Sequence, residues 1–167
     1  MPRRPPLLPE EALYRVLRTA KLDGTGILAI AGAFALASAA VKDARGAAVG
    51  LLVAGAGALE LHGAALVRHG EERGMRWLVA SQLFLMAIIL GYVGYRLGRI
   101  DVSPLLPLVT DEQRQAIAQA GFAVDRFLRM VYVGTYAAVG VGTLFYQGGM
   151  CLYYLRRRAA VTAALRD

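Results

Sequence analysis

Long apolar stretches alternate with short charged ones along this chain. No Asp, Glu, Lys, Arg or His lies between Asp23 and Lys42, between Arg76 and Arg96, or between Arg129 and Arg156. A fourth stretch, 46–67, is interrupted only by Glu60 and His62. Crossing about 30 Å of hydrocarbon takes roughly 20 apolar residues at about 1.5 Å each. Each stretch therefore predicts a transmembrane helix, over 22–41, 46–67, 75–97 and 129–155. The fold class expected is an all-α integral membrane protein, with four transmembrane helices in a compact bundle.

The flanking segments complete the pattern. Residues 1–8, with Pro2, Pro5 and Pro6, read as a disordered arm. Pro9 followed by Glu10 and Glu11 is a helix-start signal, and Leu13, Val16, Leu17 and Ala20 then share one face. That predicts a short amphipathic interfacial helix over 9–21, with Asp23-Gly24 as the bend into the first span. Segment 98–128 reads as an extracytoplasmic loop, irregular around Ser103-Pro104 and Pro107. Thr110 and Gln113 are spaced as a capping box, so a helix is expected from about 111. Gly121 marks either a break or a passage straight into the fourth span. Residues 156–167 read as a basic cytoplasmic tail.

Composition agrees. The chain has 167 residues, 57% hydrophobic and 19% charged, where soluble domains carry about 25% charged residues. Four buried helices in a soluble protein would need a polar shell that this chain cannot supply. The first apolar stretch starts too late and runs too long for a cleaved signal peptide, and Ala37-Ser38-Ala39-Ala40 resembles a cleavage site only weakly. Cys151 is the only cysteine, which excludes an intramolecular disulfide and a cysteine-based metal site within one chain.

The net charge of +7 follows from topology. Twelve Lys and Arg fall on the side of the two termini and of the loop between spans two and three; seven fall on the other side. Basic residues favour the cytoplasm, so both termini are expected inside. No basic face on a folded domain points to nucleic acid. The Ala-, Gly- and Arg-rich composition fits a bacterial chain, hence a multi-pass protein of the bacterial inner membrane. Trp77, Tyr92, Tyr95, Tyr132, Tyr136, Tyr153 and Tyr154 sit near span ends, the positions of an interfacial aromatic belt.

Small residues at spacings of four mark helix contacts in lipid. Gly50 and Ala54 in span two, and Gly134, Ala138 and Gly142 in span four, are the candidate packing positions. Together with a slim bundle they predict a homo-oligomer.

Glu60 is the outlier. A carboxylate inside a span costs roughly 2.5–3.5 kcal/mol on insertion scales, so a partner, a proton or cavity water must compensate. Counted from the nearest Arg at helical rise, Glu60, Gln82 and Gln147 lie about 12, 9 and 13 Å from the inner edge. With Ser81 close by, they form a polar layer in the cytoplasmic leaflet. In span four, Arg129, Tyr132, Tyr136, Gly140, Thr143, Gln147, Cys151 and Tyr154 share one stripe. That stripe either lines a water-filled path or faces the bundle interior. Glu60 and His62 point to opposite faces, so they cannot jointly hold a metal.

Two functional readings follow. One is a small oligomeric channel or permeation protein, with Glu60, Gln82, Gln147, Ser81, Thr143 and Tyr136 lining or gating the path. The other is a non-enzymatic accessory or scaffold subunit in which the same layer is structural. No nucleophile, acid/base pair or phosphate-binding loop speaks for an enzyme, and no cofactor or metal is expected. The partners expected are the lipid bilayer and further copies of the chain, with another membrane subunit as the alternative and no nucleic acid.

Overall fold

The computed structural model describes residues 8–166, and the arm expected over 1–8 lies outside them apart from Leu8. Among the described residues the chain forms five α-helices and one short 3-10 helix, with no strand. Helix α1 spans Pro9–Ala40, α2 Ala44–Arg68, α3 Gly74–Leu97, α4 Asp111–Gln119 and α5 Val124–Ala164; the 3-10 helix is Ser103–Leu108. Helices α1, α2, α3 and α5 are each long and apolar enough to cross a membrane.

Local chemistry accounts for the helix starts. Pro9 and the acidic Glu10 and Glu11 occupy the first turn of α1, where a missing N–H costs nothing and negative charge meets the helix dipole. The Asp43 side chain caps α2, accepting from the Gly46 N–H at 3.0 Å. The Thr110 capping box is formed: the Gln113 N–H donates to Thr110 Oγ1 at 3.3 Å, and the Thr110 N–H donates to Gln113 Oε1 at 3.0 Å. Gly121, with φ of 80°, follows the end of α4 and separates it from α5.

Two sequence boundaries are corrected. Helix α1 is not interrupted at Asp23-Gly24; it continues from Pro9 to Ala40, about 48 Å at helical rise. The expected interfacial helix is its first half, and Ala12, Val16 and Ala20 on that half are buried within the protein. Amphipathicity reports an apolar face without saying what covers it. Likewise the fourth long helix does not end at 155: α5 runs on through the basic segment to Ala164, with Val161 fully buried. Charges mark where a lipid-compatible stretch ends, and an amphipathic helix continues past that point.

The chain divides into two compact units. One comprises the residues up to Ile88 together with those from Leu144; the other is Ile89–Thr143.

In the first unit α1 and α2 pair antiparallel at very close range. A Cβ on Gly50 would lie 2.9 Å from the Ala35 backbone, and one on Gly57 would lie 2.8 Å from the Gly24 carbonyl oxygen. Gly24 is thus an interhelical contact, which is why the helix passes through it. Gly63 packs as tightly on α3, where its Cβ would meet the Leu78 nitrogen at 3.0 Å. Val16, Ala20, Ala64, Val67, Met75, Leu78, Tyr154 and Val161 form the apolar core that joins α1, α2, α3 and the end of α5. The Arg166 side chain donates to Glu72 Oε1 at 2.9 Å, tying the chain end to the α2–α3 turn.

In the second unit the end of α3 meets the start of α5, with Gly140 beside Val93. Arg114 donates to the Leu106 carbonyl at 2.9 Å and holds the 3-10 helix against α4.

Candidate functional site

The first unit contains a cluster of polar side chains from all four of its helices. Glu60 on α2 is 1% exposed and Gln82 on α3 is also 1% exposed. Tyr154 on α5 donates its hydroxyl to Glu60 Oε1 at 2.6 Å. Gln82 Nε2 donates to Asp23 Oδ2 at 2.9 Å, and the Tyr146 hydroxyl donates to Asp23 Oδ1 at 2.8 Å. Asp23 and Gln82 are near enough to Glu60 to act on its carboxyl electrostatically, so the two bonded sets are neighbours.

Register explains the convergence. Asp23 precedes Gly24, whose contacts with Gly57 and Leu61 bring α1 alongside the turn of α2 that carries Glu60. Gly63 and Leu78 do the same for α2 and α3, and Gln82 follows Leu78 by one helical turn. On α5, Tyr146 and Tyr154 stand two turns apart and supply one hydroxyl to each carboxyl.

The chemistry of the cluster is unbalanced. Two carboxyls are held by two phenols and one amide, and neither Asp23 nor Glu60 forms an ion pair with Lys, Arg or His among the described residues. Glu60 Oε2 and Gln82 Oε1 are buried acceptors without a donor. Such atoms call for a proton, a bound cation or water. Among the described residues no three His, Cys, Asp or Glu side chains are grouped so as to hold a metal ion.

No protein-family model, curated protein or solved structure matches this chain.

The geometry of the site keeps part of the expected polar layer and redistributes the rest. Glu60 and Gln82 are brought together. Gln147 is 5% exposed, and its Oε1 has no hydrogen-bond partner. Ser81 is buried but turns its hydroxyl back to the Leu78 carbonyl of its own helix at 2.9 Å. Thr143 is buried in the second unit. Tyr136, also there, accepts from Arg96 Nε at 3.0 Å. The Arg96 guanidinium carbon lies 5.4 Å from the ring centres of Tyr132 and Tyr136 and 5.9 Å from that of Tyr92. These tyrosines, read from sequence as belt residues, form a cage round a cation.

Of the span-four stripe, Tyr132, Gly140, Thr143, Gln147, Cys151 and Tyr154 are buried, Tyr136 is half-buried and Arg129 is exposed. The expected packing positions divide. Gly50 and Ala54 are buried in the first unit. Gly134, Ala138 and Gly142 are exposed, and a Cβ on either glycine would meet nothing within 4 Å; they do not pack within the chain. His62 is exposed, its ring 5.4 Å from Trp77 and edge-on to it.

Three members of the cluster escape the sequence reading. Asp23, beside Lys21, reads as the bend into the first span, Tyr154 reads as an interfacial anchor and a member of the span-four stripe, and Tyr146 carries no signal of its own. One signal for Asp23 was present: Ala12, Val16, Ala20 and Gly24 continue a single stripe at spacing four straight through it.

Proposed function

We propose that this chain is a multi-pass protein of the bacterial inner membrane, with both termini cytoplasmic. In this reading it works as a small oligomeric permeation protein in which Asp23 and Glu60 form the station for a proton or small cation. Insertion is supported by the apolar side chains that the long helices leave exposed. Ile30, Phe34 and Leu36 on α1, Leu51 on α2 and Phe145 on α5 are among them, far more apolar surface than a soluble monomer shows. Orientation rests on the twelve-to-seven distribution of Lys and Arg.

The observation that carries the permeation reading is the pair of carboxyls with no cation beside them and a buried Glu60 oxygen left without a donor. Intramembrane acidic groups mark ion and proton paths. A proton or cation arriving at this pair completes its hydrogen bonding, and its departure restores the deficit, which is the behaviour a relay requires. The exposed Gly134, Ala138 and Gly142 face of α5 is offered as the contact between copies, since small residues allow close helix approach in lipid.

Proteoliposomes test the proposal. Proton-driven dye quenching with wild type and with Glu60→Gln, from pH 5 to 8, is expected to show flux that the substitution abolishes. Equal flux from both proteins removes the carboxyl from the pathway.

A second reading is favoured by the same hydrogen bonds. Tyr154 to Glu60 and Gln82 to Asp23 each link two helices, as a clamp would in an accessory or scaffold subunit. There Glu60→Gln lowers the unfolding temperature and neither protein conducts.

A further inference from the structure

A cleft of about 190 Å³ opens on the first unit between α1 and α2, lined by Leu17, Lys21, Leu61, Ala64, Ala65 and Arg68. Its walls are aliphatic and its two polar residues are both cations. Lys21 and Arg68 are exposed, and neither forms an ion pair among the described residues. The acidic residues nearby in sequence are engaged elsewhere: Asp23 with Gln82 and Tyr146, Glu11 with Arg15, Glu71 with Arg73 and Glu72 with Arg166.

We infer that this cleft binds an anionic phospholipid. The inference rests on the membrane reading above. The phosphate sits between Lys21 and Arg68, and one acyl chain lies along Leu17, Leu61 and Ala64. Each part follows from the lining. An arginine fork and a lysine ammonium together match a phosphodiester, the first by paired hydrogen bonds and the second as a point charge. The long stems of both side chains run along the apolar wall while their heads reach the headgroup layer. The volume suits a segment of one acyl chain and not a whole lipid. A zwitterionic lipid brings its own cation and gains less from this pair. The antiparallel register puts both cations on the same side of the Gly24–Leu61 contact, Lys21 one turn and Arg68 two turns from it, about 6 Å apart along the helix axes and within reach of their long side chains. Leu61 is thus shared: it follows Glu60 and forms part of the wall of the cleft.

Native mass spectrometry of the full chain, released from membranes by detergent, tests the inference with three probes: phosphatidylglycerol, phosphatidylcholine and inorganic phosphate. Recovery in the membrane fraction checks insertion separately, before any lipid is added. Wild type is expected to bind phosphatidylglycerol about tenfold tighter than phosphatidylcholine, with inorganic phosphate not competing. Lys21→Ala/Arg68→Ala is expected to bind the two lipids equally. The charge-preserving Lys21→Arg/Arg68→Lys retains the preference, as does Arg73→Ala/Arg158→Ala, which removes the same charge outside the cleft. Preference that survives the cleft substitution, falls equally in the distant one, or is competed away by inorganic phosphate overturns the inference.

Discussion

The Tyr154 hydroxyl donates to Glu60 Oε1 at 2.6 Å, between two side chains that are each no more than 1% exposed. The bond joins the last third of α5 to the middle of α2, residues 94 apart in sequence. A hydrogen bond to a carboxyl, shielded from water on every side, is among the stronger ones a protein makes.

Tyr154→Phe keeps the ring and removes the donor, leaving both Glu60 oxygens without a partner. A loss of about 1–3 kcal/mol is expected, read by chemical unfolding in detergent micelles. In the Glu60→Gln background the same change is expected to cost less, since the two residues act through one bond. Additive costs would show that the bond contributes nothing of its own.

Close approach of α1 and α2 makes Gly50 intolerant of side chains. Gly50→Ala places a methyl 2.9 Å from the Ala35 backbone, and the helices must separate. The expected cost is about 1–3 kcal/mol, and more for Gly50→Leu. Gly142→Ala, which meets open space within the chain, is expected to change unfolding by less than about 0.5 kcal/mol. If α5 forms the contact between copies, Gly142→Leu shifts the oligomer distribution in light scattering without unfolding the protomer.

Arg96 fixes the second unit through three rings and one hydrogen bond. Arg96→Lys retains the charge but loses the planar face and the Nε donor. A destabilisation of about 1–2 kcal/mol is expected, seen as faster hydrogen exchange over the second unit. Exchange unchanged from wild type would mean that the cage is incidental.

Outside the long helices, Asp101 Oδ1 accepts from the Ser103 backbone N–H at 3.0 Å. That bond holds the carboxyl below its ordinary value. A depressed acid contributes stability that is complete above its unfolded value and lost as the pH falls through the folded one. Protection of the Ser103 amide is therefore expected to be full at pH 7 and to fall below about pH 4. Asp101→Asn is expected to remove the pH dependence, and a wild-type profile in that variant contradicts the assignment.

The helices were legible because charge-free runs of span length have few alternative folds. Their ends were not, because ionisable residues report the limit of an apolar environment, while the backbone follows packing. Val16 and Val161 lie outside the expected spans yet are fully buried. Glu60 and Gln82 were legible as neighbours through their similar expected depths. Asp23 was hidden by its neighbours: beside Lys21 it resembled a boundary, and only the stripe through Ala20 and Gly24 placed it inside a helix. Tyr136 shows the converse: periodicity places it on a stripe of its own helix, while its partner, Arg96, comes from another helix that no periodicity identifies.

The central claim is that Asp23 and Glu60 form one site, and a flux cycle tests it most directly. Proton flux into liposomes is measured for wild type, Asp23→Asn, Glu60→Gln and the double variant at matched protein content. Members of one site lose function together, so each single variant is expected to abolish flux as fully as the double one. Flux that persists in Asp23→Asn with the wild-type pH profile would separate the two carboxyls and contradict the account.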